Sequence, residues 1–383
     1  MSTLIRSFWQ TLVGHDSVEP VEVETMPLPV EDRPQAVEAP AVDIASDDPI
    51  IDHFQRASAV VETRKLDLES PAVQALKDAG VRMVMPLVSQ QDLVGMVNLG
   101  PRLSEQEYSA DDRRLLNTLA TQVTPAVRVA QLVRQQQLEA LARERLEHEL
   151  RVARFIQQTL LPKDVPQLPG WHVSAYWQPA RAVGGDFYDF IGFPDGRMGF
   201  VIGDVTDKGV PAALVMATTR SILRGAAERL VSPGQVLERV NDVLCPDIPT
   251  NMFVTCLYAV LDPDSGRLQY ANAGHNLPYQ LTTDGVIELR ATGMPLGLMP
   301  DMPYDEKEAT LSPGECVLLS SDGLVEAHSH QGEMFGFPRV KKLMANLPGG
   351  ATLIDHLLAD LAGFTGGDWE QEDDITLLTI DRR

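Results

Sequence analysis

The 383-residue chain is poor in several features that would settle its class at once. Its three cysteines, Cys245, Cys256 and Cys316, are odd in number and far apart, with no C-x-x-C spacing. Neither a disulfide framework nor a cysteine zinc site is indicated. No run of about 18 apolar residues occurs, and Arg6 and Gln10 interrupt the apolar stretch at the start, so neither a membrane span nor a secretory leader is expected. Basic residues are scarce, 32 against 54 acids, for a formal net charge of -22. That balance argues against a protein whose main task is gripping nucleic acid or an anionic membrane. A P-loop and a dinucleotide fingerprint are also missing. These absences point to a reducing, cytoplasmic compartment. With 44% hydrophobic residues, the chain is apolar enough for two or three domains, each with its own core.

The charge is unevenly spread. Met1 to Asp52 holds 11 acids and 2 bases, His53 to Asp164 holds 14 and 15, and Val165 to Arg383 holds 29 and 15. Within residues 1–14, Leu4, Ile5, Phe8, Trp9, Leu12 and Val13 repeat at helical spacing, which allows a short amphipathic helix. It reads either as a frayed or self-docked terminus or as a partner-binding or membrane-touching helix, the acidic stretch behind it disfavouring the membrane. Residues 15–49 turn to Glu, Asp, Val and six prolines with no period, the composition of a linker that buries too little surface to order itself.

Residues 50–127 read as a small α/β module. Ser70 to Ala79 has helical spacing, Val81 to Val88 and Asp92 to Leu99 read as a hairpin across Ser89-Gln90-Gln91, and Ser104 opens a capping-box pattern. A capped helix follows Ser109, carrying Leu115, Leu116, Leu119 and Val123. Residues 128–162 form a helical linker: Ala126 to Leu161 has neither Gly nor Pro and spaces Leu138, Ala142, Leu146, Leu150, Ala153 and Ile156 by three or four. Polar residues break this coiled-coil-like seam near Arg134 to Gln137, so a solvated linker and a dimerising signalling helix both remain open. Pro162 stops the helix.

Over 165–383, short β runs alternate with two helical blocks, Val210 to Leu230 and Pro233 to Leu244. The β runs are Trp171 to Gln178, Phe187 to Phe193, Met198 to Val205, Phe253 to Leu261, Arg267 to Ala273, Val286 to Arg290, Cys316 to Ser320 and Ile375 to Asp381. Strands outnumber helices and are mostly hairpin-connected, which predicts an α/β (α+β) sandwich with helices outside antiparallel sheets. Asp186, Asp204, Asp322 and Asp373 each stand at the end or mouth of an apolar strand. One such acid is ordinarily a turn-former or helix cap. Four converging acids would repel strongly unless cations sat among them, and an all-oxygen set selects Mn²⁺ or Mg²⁺ over zinc or copper. A pair of such ions can activate water for attack on phosphorus, which points to phosphoester hydrolysis without a covalent enzyme intermediate.

Two resemblances follow from longer runs. "VMPLVSQQDLVGMVNLGPRLSEQEYSADDRRLLNTLATQVTPAV" resembles the C-terminal half of a GAF domain, shortened to about 80 residues, and implies dimerisation more directly than ligand sensing. "ARFIQQTLLPKDVPQLPGWHVSAYWQPARAVGGDFYDF", "GFVIGDVTDKGVPAALVMATTR", "ANAGHNLPY", "TGMPLGL", "LLSSDGLVEA" and "DDITLL", in that order, resemble the SpoIIE-like branch of the metal-dependent PPM serine/threonine phosphatases. That resemblance implies a PPM-type β-sandwich flanked by helices over 165–383, two divalent cations, and a phosphorylated STAS-type anti-sigma-factor antagonist as substrate. It also implies a homodimer formed through the GAF-like module and the linker helix. Carried onto this chain, Asp204 bridges both metals, the Val205 carbonyl and Asp186 complete one site, and Asp322 and Asp373 bind the other, with Asp374 as the alternative to Asp373. Where relatives often read Gly-His, this chain has Thr206-Asp207-Lys208-Gly209. Lys208 and Arg181 are candidates for the substrate phosphate, Lys208 also reading as a solvated helix-start residue. In the turn Asn272, Gly274, His275, Asn276, His275 has a hydrogen-bonding or structural reading. The rival functions are a non-catalytic sensor or scaffold and a hydrolase of small phosphoesters.

Overall fold

The computed structural model describes residues 44–383 apart from 46, 57–58, 103–105, 347–351 and 368. The amphipathic stretch over 1–14, most of the acidic stretch over 15–49 and the Ser104 pattern lie outside the described residues. The chain divides into two units, one through Gln137 and one from Leu138 onward. Among the described residues no helix is long and apolar enough to cross a membrane.

In the first unit, α1 (Pro49–Arg56) and α2 (Pro71–Asp78) both open on proline, whose missing N–H is not needed in a first turn. Ser70 caps α2 by accepting from the Val73 N–H at 3.1 Å. Asp48 ties the two helices together: its buried carboxylate accepts from the Ile50 N–H (2.9 Å), the Ala72 N–H (3.1 Å) and the Ser70 hydroxyl (2.5 Å). Packing therefore reaches back to residue 48, inside the stretch read as linker. Three antiparallel strands, β1 (Val61–Glu62), β2 (Met83–Ser89) and β3 (Asp92–Leu99), form a sheet in the order β1-β2-β3. Ile50, Phe54, Val73 and Leu76 pack with Val84 in one cluster, and Met83, Met85, Leu87 and Val94 pack with Leu116 and Ala120 in another.

Leu116 and Ala120 belong to α3 (Ala110–Leu160), a continuous 51-residue helix. The sequence reading separated two helices near residue 125. Pro125 lies inside α3 because it removes only one backbone donor, and the carbonyl left without it belongs to exposed Thr121, where water can serve it.

The second unit contains the expected sandwich. One five-stranded sheet has the order β10-β9-β12-β13-β4, built from β4 (Trp171–Gln178), β9 (Tyr279–Thr282), β10 (Gly285–Glu288), β12 (Cys316–Ser320) and β13 (Ile375–Arg382). The other has the order β11-β8-β7-β6-β5, built from β5 (Phe187–Gly192), β6 (Met198–Val205), β7 (Val254–Asp262), β8 (Arg267–Ala273) and β11 (Glu306–Thr310). All pairings are antiparallel. Phe200, Ile202, Leu257, Leu319, Leu378 and Ile380 fill the space between the sheets. Helices α4 (Val210–Ala227) and α5 (Pro233–Leu244) cover the β5–β8 face through Met216, Leu223, Val236 and Leu237. Helices α6 (Phe337–Ala345) and α7 (Leu353–Thr365) cover the other sheet through Val340, Met344, Leu357 and Leu361. Strands β9 and β11 and helices α6 and α7 went unassigned in the sequence reading. Strand β11 (EKEAT) is mostly exposed and shows no apolar alternation to read.

Replacing Asp48 with alanine removes the shared acceptor at two helix starts. The expected loss is roughly 1–3 kcal/mol of stability in the first unit, read as a lowered urea midpoint by circular dichroism while the second unit's transition stays in place.

Candidate metal centre

Alternation along β6 sends Phe200 and Ile202 between the sheets and Val201 and Val205 toward α4 and α5. Asp204 has the parity of Phe200 and Ile202, so its carboxylate enters the inter-sheet space at the strand's end. Asp186 stands just before β5 and is 1% exposed. The Thr376 hydroxyl, from the start of β13, donates to Asp186 Oδ2 at 2.5 Å. Asp322 opens a short 3-10 turn, Asp322–Leu324, that follows β12. Asp373 and Asp374 immediately precede β13. Both sheets thus deliver acids to one end of the sandwich.

These acids perturb one another. Burial, then the charges of Asp204 and Asp374, hold the Asp186 carboxyl well above the usual range. Burial pushes Asp204 up to about 8, with Asp322 and Asp373 adding to the effect and a hydrogen bond with Asp186 opposing it. Burial raises Asp322 to about 6, helped by Asp373 and Glu326. Among the described residues no ion pair reaches Asp186, Asp204 or Asp322; the one nearby cation, Lys208, places Nζ 2.9 Å from Asp373 Oδ2 and donates to the Glu372 carbonyl at 2.6 Å.

Asp374 does something different from its neighbour. Its Oδ1 accepts from the Ala180 N–H (2.8 Å), and its Oδ2 accepts from the Gly185 N–H (2.7 Å) and the Asp186 N–H (3.2 Å). The carboxylate is a staple for the loop that carries Asp186. The glycines of that loop follow from the closeness. A Cβ on Gly184 would lie 2.0 Å from Asp374 Oδ2, and one on Gly185 would lie 2.7 Å from the Val205 carbonyl oxygen. Asp373 instead faces Lys208, Asp204 and Asp322.

The remaining candidates separate cleanly. Arg181 is exposed and makes no hydrogen bond or ion pair among the described residues. Thr206 closes its loop on Phe253: its hydroxyl donates to the Phe253 carbonyl at 3.1 Å and accepts from the Phe253 N–H at 2.9 Å. Asp207 takes a left-handed φ of 75° and accepts from the Lys208 N–H at 2.8 Å, turning the chain into α4. His275 is buried, with Nδ1 2.9 Å from the Thr255 hydroxyl, and burial lowers its pKa to about 4, so the ring is neutral at pH 7. Asn272 braces that turn, accepting from the His275 N–H at 2.7 Å and donating to its carbonyl at 2.9 Å. Because Thr255 pairs with Asp204 across β6 and β7, the imidazole supports the strand behind the acid.

Sequence reasoning missed Thr376, the stapling role of Asp374, and Gln157. Gln157 comes from α3 and is 3% exposed. Its Nε2 donates to the Gly184 carbonyl at 2.6 Å and its Oε1 accepts from the Gly184 N–H at 3.1 Å. A buried polar residue in the solvated stretch of α3 beyond Pro125 is a signal the sequence carried only as Gln157 beside Gln158.

Among the described residues no three carboxylate, imidazole or thiol groups surround one point as a finished ion site. The donor set nevertheless fits hard divalent cations: it is all oxygen, buried or half-buried, mutually repelling and largely unpaired with side-chain cations.

A two-sheet sandwich between helix pairs, with acids at one end, defines a PP2C-type fold. Residues 194–383 match the family model described as Stage II sporulation protein E (SpoIIE), and the second unit is a SpoIIE-type domain of the PP2C/PPM phosphatases. The chain is 33% identical over 263 residues to protein IcfG of Synechocystis sp., covering 61% of this chain and 41% of that protein. It is 29% identical over 244 residues to phosphoserine phosphatase RsbU of Bacillus subtilis, covering 63% of this chain and 72% of that one. Among solved structures, the SiaA-PP2C domain of Pseudomonas aeruginosa superposes with a TM-score of 0.57 at 26% identity, covering 63% of this chain and 99% of that domain. The chain thus spans less than half the length of IcfG and nearly three quarters of RsbU.

The raised carboxyls fix the sign of a pH effect. Asp204 and Asp322 hold protons in the folded state up to about 8 and about 6, whereas unfolded aspartates lose theirs near 3.8. The native state binds more protons between these values, so stability falls as pH rises. In chelator, the thermal midpoint of the second unit is expected to drop from pH 5 to pH 8, and Asp204→Asn is expected to flatten that slope in the same calorimetric series.

Proposed function

We propose that this chain is a cytoplasmic, Mn²⁺- or Mg²⁺-dependent phosphatase of protein phosphoserine or phosphothreonine. Its substrate is a phosphorylated STAS-type anti-sigma-factor antagonist in bacterial partner switching. The observation that carries the reading is the convergence of buried Asp186 with half-buried Asp204 and Asp322, without cationic partners among the described residues, at one end of a SpoIIE-type sandwich. The likeness to phosphoserine phosphatase RsbU supports the reaction class. Three free cysteines suit a reducing compartment.

In this reading Asp204 would serve both cations, with Asp186 and the Val205 carbonyl holding one and Asp322 and Asp373 holding the other. The cations, when bound, supply an activated water and the positive charge that a phosphate ester needs. The protein's own groups do the rest. Thr376 fixes the Asp186 carboxylate, and Asp374 fixes its backbone. Lys208 keeps an ammonium beside Asp373 at the rim, and exposed Arg181, five residues before Asp186, is free to meet the phosphate.

Regulation is assigned to the first unit and α3. The helix leaves Leu138 (60%), Leu141 (62%), Leu146 (57%) and Phe155 (71%) exposed, a surface that suits pairing with a second copy. Helices α4 and α5 follow directly on Asp204 and Val205, so a shift of that pair changes the cation positions.

Phosphate release from a phosphorylated STAS protein and from a small aryl phosphate, each with Mn²⁺ and with chelator, tests the reaction. Wild type is expected to release phosphate from both only with metal, and Asp204→Asn to lose at least about 100-fold. Release from the aryl ester alone would rule out the protein substrate, and no metal-dependent release at all leaves the scaffold reading. A disulfide locking two α3 helices together is expected to change turnover or metal affinity. Unchanged values for both, with the cross-link shown on a non-reducing gel, would remove α3 from regulation.

A further inference from the structure

From residue 125 to the end of α3 at Leu160, Gln157 is the only buried residue, and Leu161 directly beyond it joins the core beside Val205 and Ala212. The helix therefore meets the catalytic unit at two adjacent kinds of contact. Leu161 is an apolar anchor, which alone would tether the helix. Gln157 adds something a tether does not require, because burying an amide costs free energy unless both its ends are satisfied. Here both ends are satisfied by one residue, with the amide pairing to the N–H and C=O of Gly184 as a neighbouring strand would. Gly184 is held from its other side by Asp374, whose Oδ2 fills the space where a Cβ would stand. Two residues on, Asp186 carries the carboxylate.

We propose that Gln157 is a positioning residue for the Asp186 loop, so that the placement of α3 along and about its axis sets the geometry of the cation site. The inference rests on the phosphatase reading for its functional consequence. A rise of 1.5 Å per residue and 3.6 residues per turn mean that a slide or rotation by even one residue removes the Gln157 amide from Gly184. In this placement no other side chain of α3 bonds Gly184, and the neighbouring Arg154, Phe155 and Gln158 are exposed. The loop then keeps only its Asp374 staple. This route is distinct from one through α4 and α5: it acts on Asp186, before β5, and not on Asp204 after β6.

The test uses the full chain with Gln157→Met, which keeps the side chain's length and apolar packing and removes both hydrogen bonds, and Gln158→Ala as an exposed control. Hydrogen exchange of the Gly184, Gly185 and Asp186 amides is read without metal. Mn²⁺ affinity is read by calorimetry, and aryl phosphate turnover at saturating Mn²⁺. Expected for Gln157→Met are exchange at those amides at least about tenfold faster, Mn²⁺ binding about 10- to 100-fold weaker, and turnover at saturating metal within about threefold of wild type. Gln158→Ala is expected to match wild type in all three. Unchanged exchange and Mn²⁺ affinity in Gln157→Met would overturn the proposal and leave Gln157 as packing. If wild type itself bound no Mn²⁺, the phosphatase reading would fall, and the exchange measurement would still decide whether Gln157 holds the loop.

Discussion

Mutual repulsion among buried and half-buried carboxylates is the constraint on which the second unit is organised. Asp186, Asp204, Asp322, Asp373 and Asp374 arrive from both sheets at one end of the sandwich, and one ammonium, that of Lys208, stands beside them. In low dielectric such a cluster is stable only if the acids hold protons or if cations replace them. The raised pKa values of Asp186, Asp204 and Asp322 are the first solution, and the all-oxygen donor set is suited to the second. A fold selected only for stability has no reason to keep this arrangement, because apolar residues at the same strand ends would remove the repulsion.

The same constraint explains the glycines. The Asp186 loop has to approach Asp374 closely enough for three backbone N–H groups to reach one carboxylate, and it has to admit the Val205 carbonyl from β6. Any side chain at 184 or 185 would hold these parts apart. Gly323, after Asp322, meets the same limit: a Cβ there would lie 2.1 Å from the Asp374 carbonyl oxygen. Asp374 therefore locks the loop before β5, the turn after β12 and the start of β13 into one piece, while its neighbour Asp373 stays turned toward the other acids. Asp189, three residues after Asp186 and 1% exposed, extends this order outward. It pairs with Arg220 (3.1 Å) and Arg224 (2.9 Å) and so fixes α4 against β5.

Much of this was legible in the sequence, for physical reasons. Near-continuous apolar runs in β6, β7 and β13 report burial on both faces of a strand, and an acid at the end of such a run has few neutral explanations. What stayed hidden depends on partners far away in sequence. Thr376 reads as an ordinary strand residue until Asp186 is placed against it across 190 positions. Asp373 and Asp374 are indistinguishable as letters, and only the amides of Ala180, Gly185 and Asp186 tell them apart. Gln157 resembles every other glutamine of α3, because solvated and buried amides have the same composition. The continuity of α3 through Pro125 was likewise unreadable, since a proline's cost depends on whether water can reach the carbonyl it leaves unpaired.

Charge closes the account of how an acidic chain can handle an anionic substrate. The formal -22 is a property of the whole sequence, but the potential a phosphate ester meets is set within a few ångströms. Four proposed ligand aspartates contribute four of the negative charges of the region from Val165 onward, whose balance is 29 acids against 15 bases. Two dications bound there would cancel those four charges. Lys208 shows how finely that local balance is set. Its ammonium, just before α4, spans Asp373 and the Glu372 carbonyl. Burial lowers the His275 pKa to about 4, so that ring adds no charge at neutral pH, and the Lys208 ammonium beside Asp373 lies at an otherwise acidic opening.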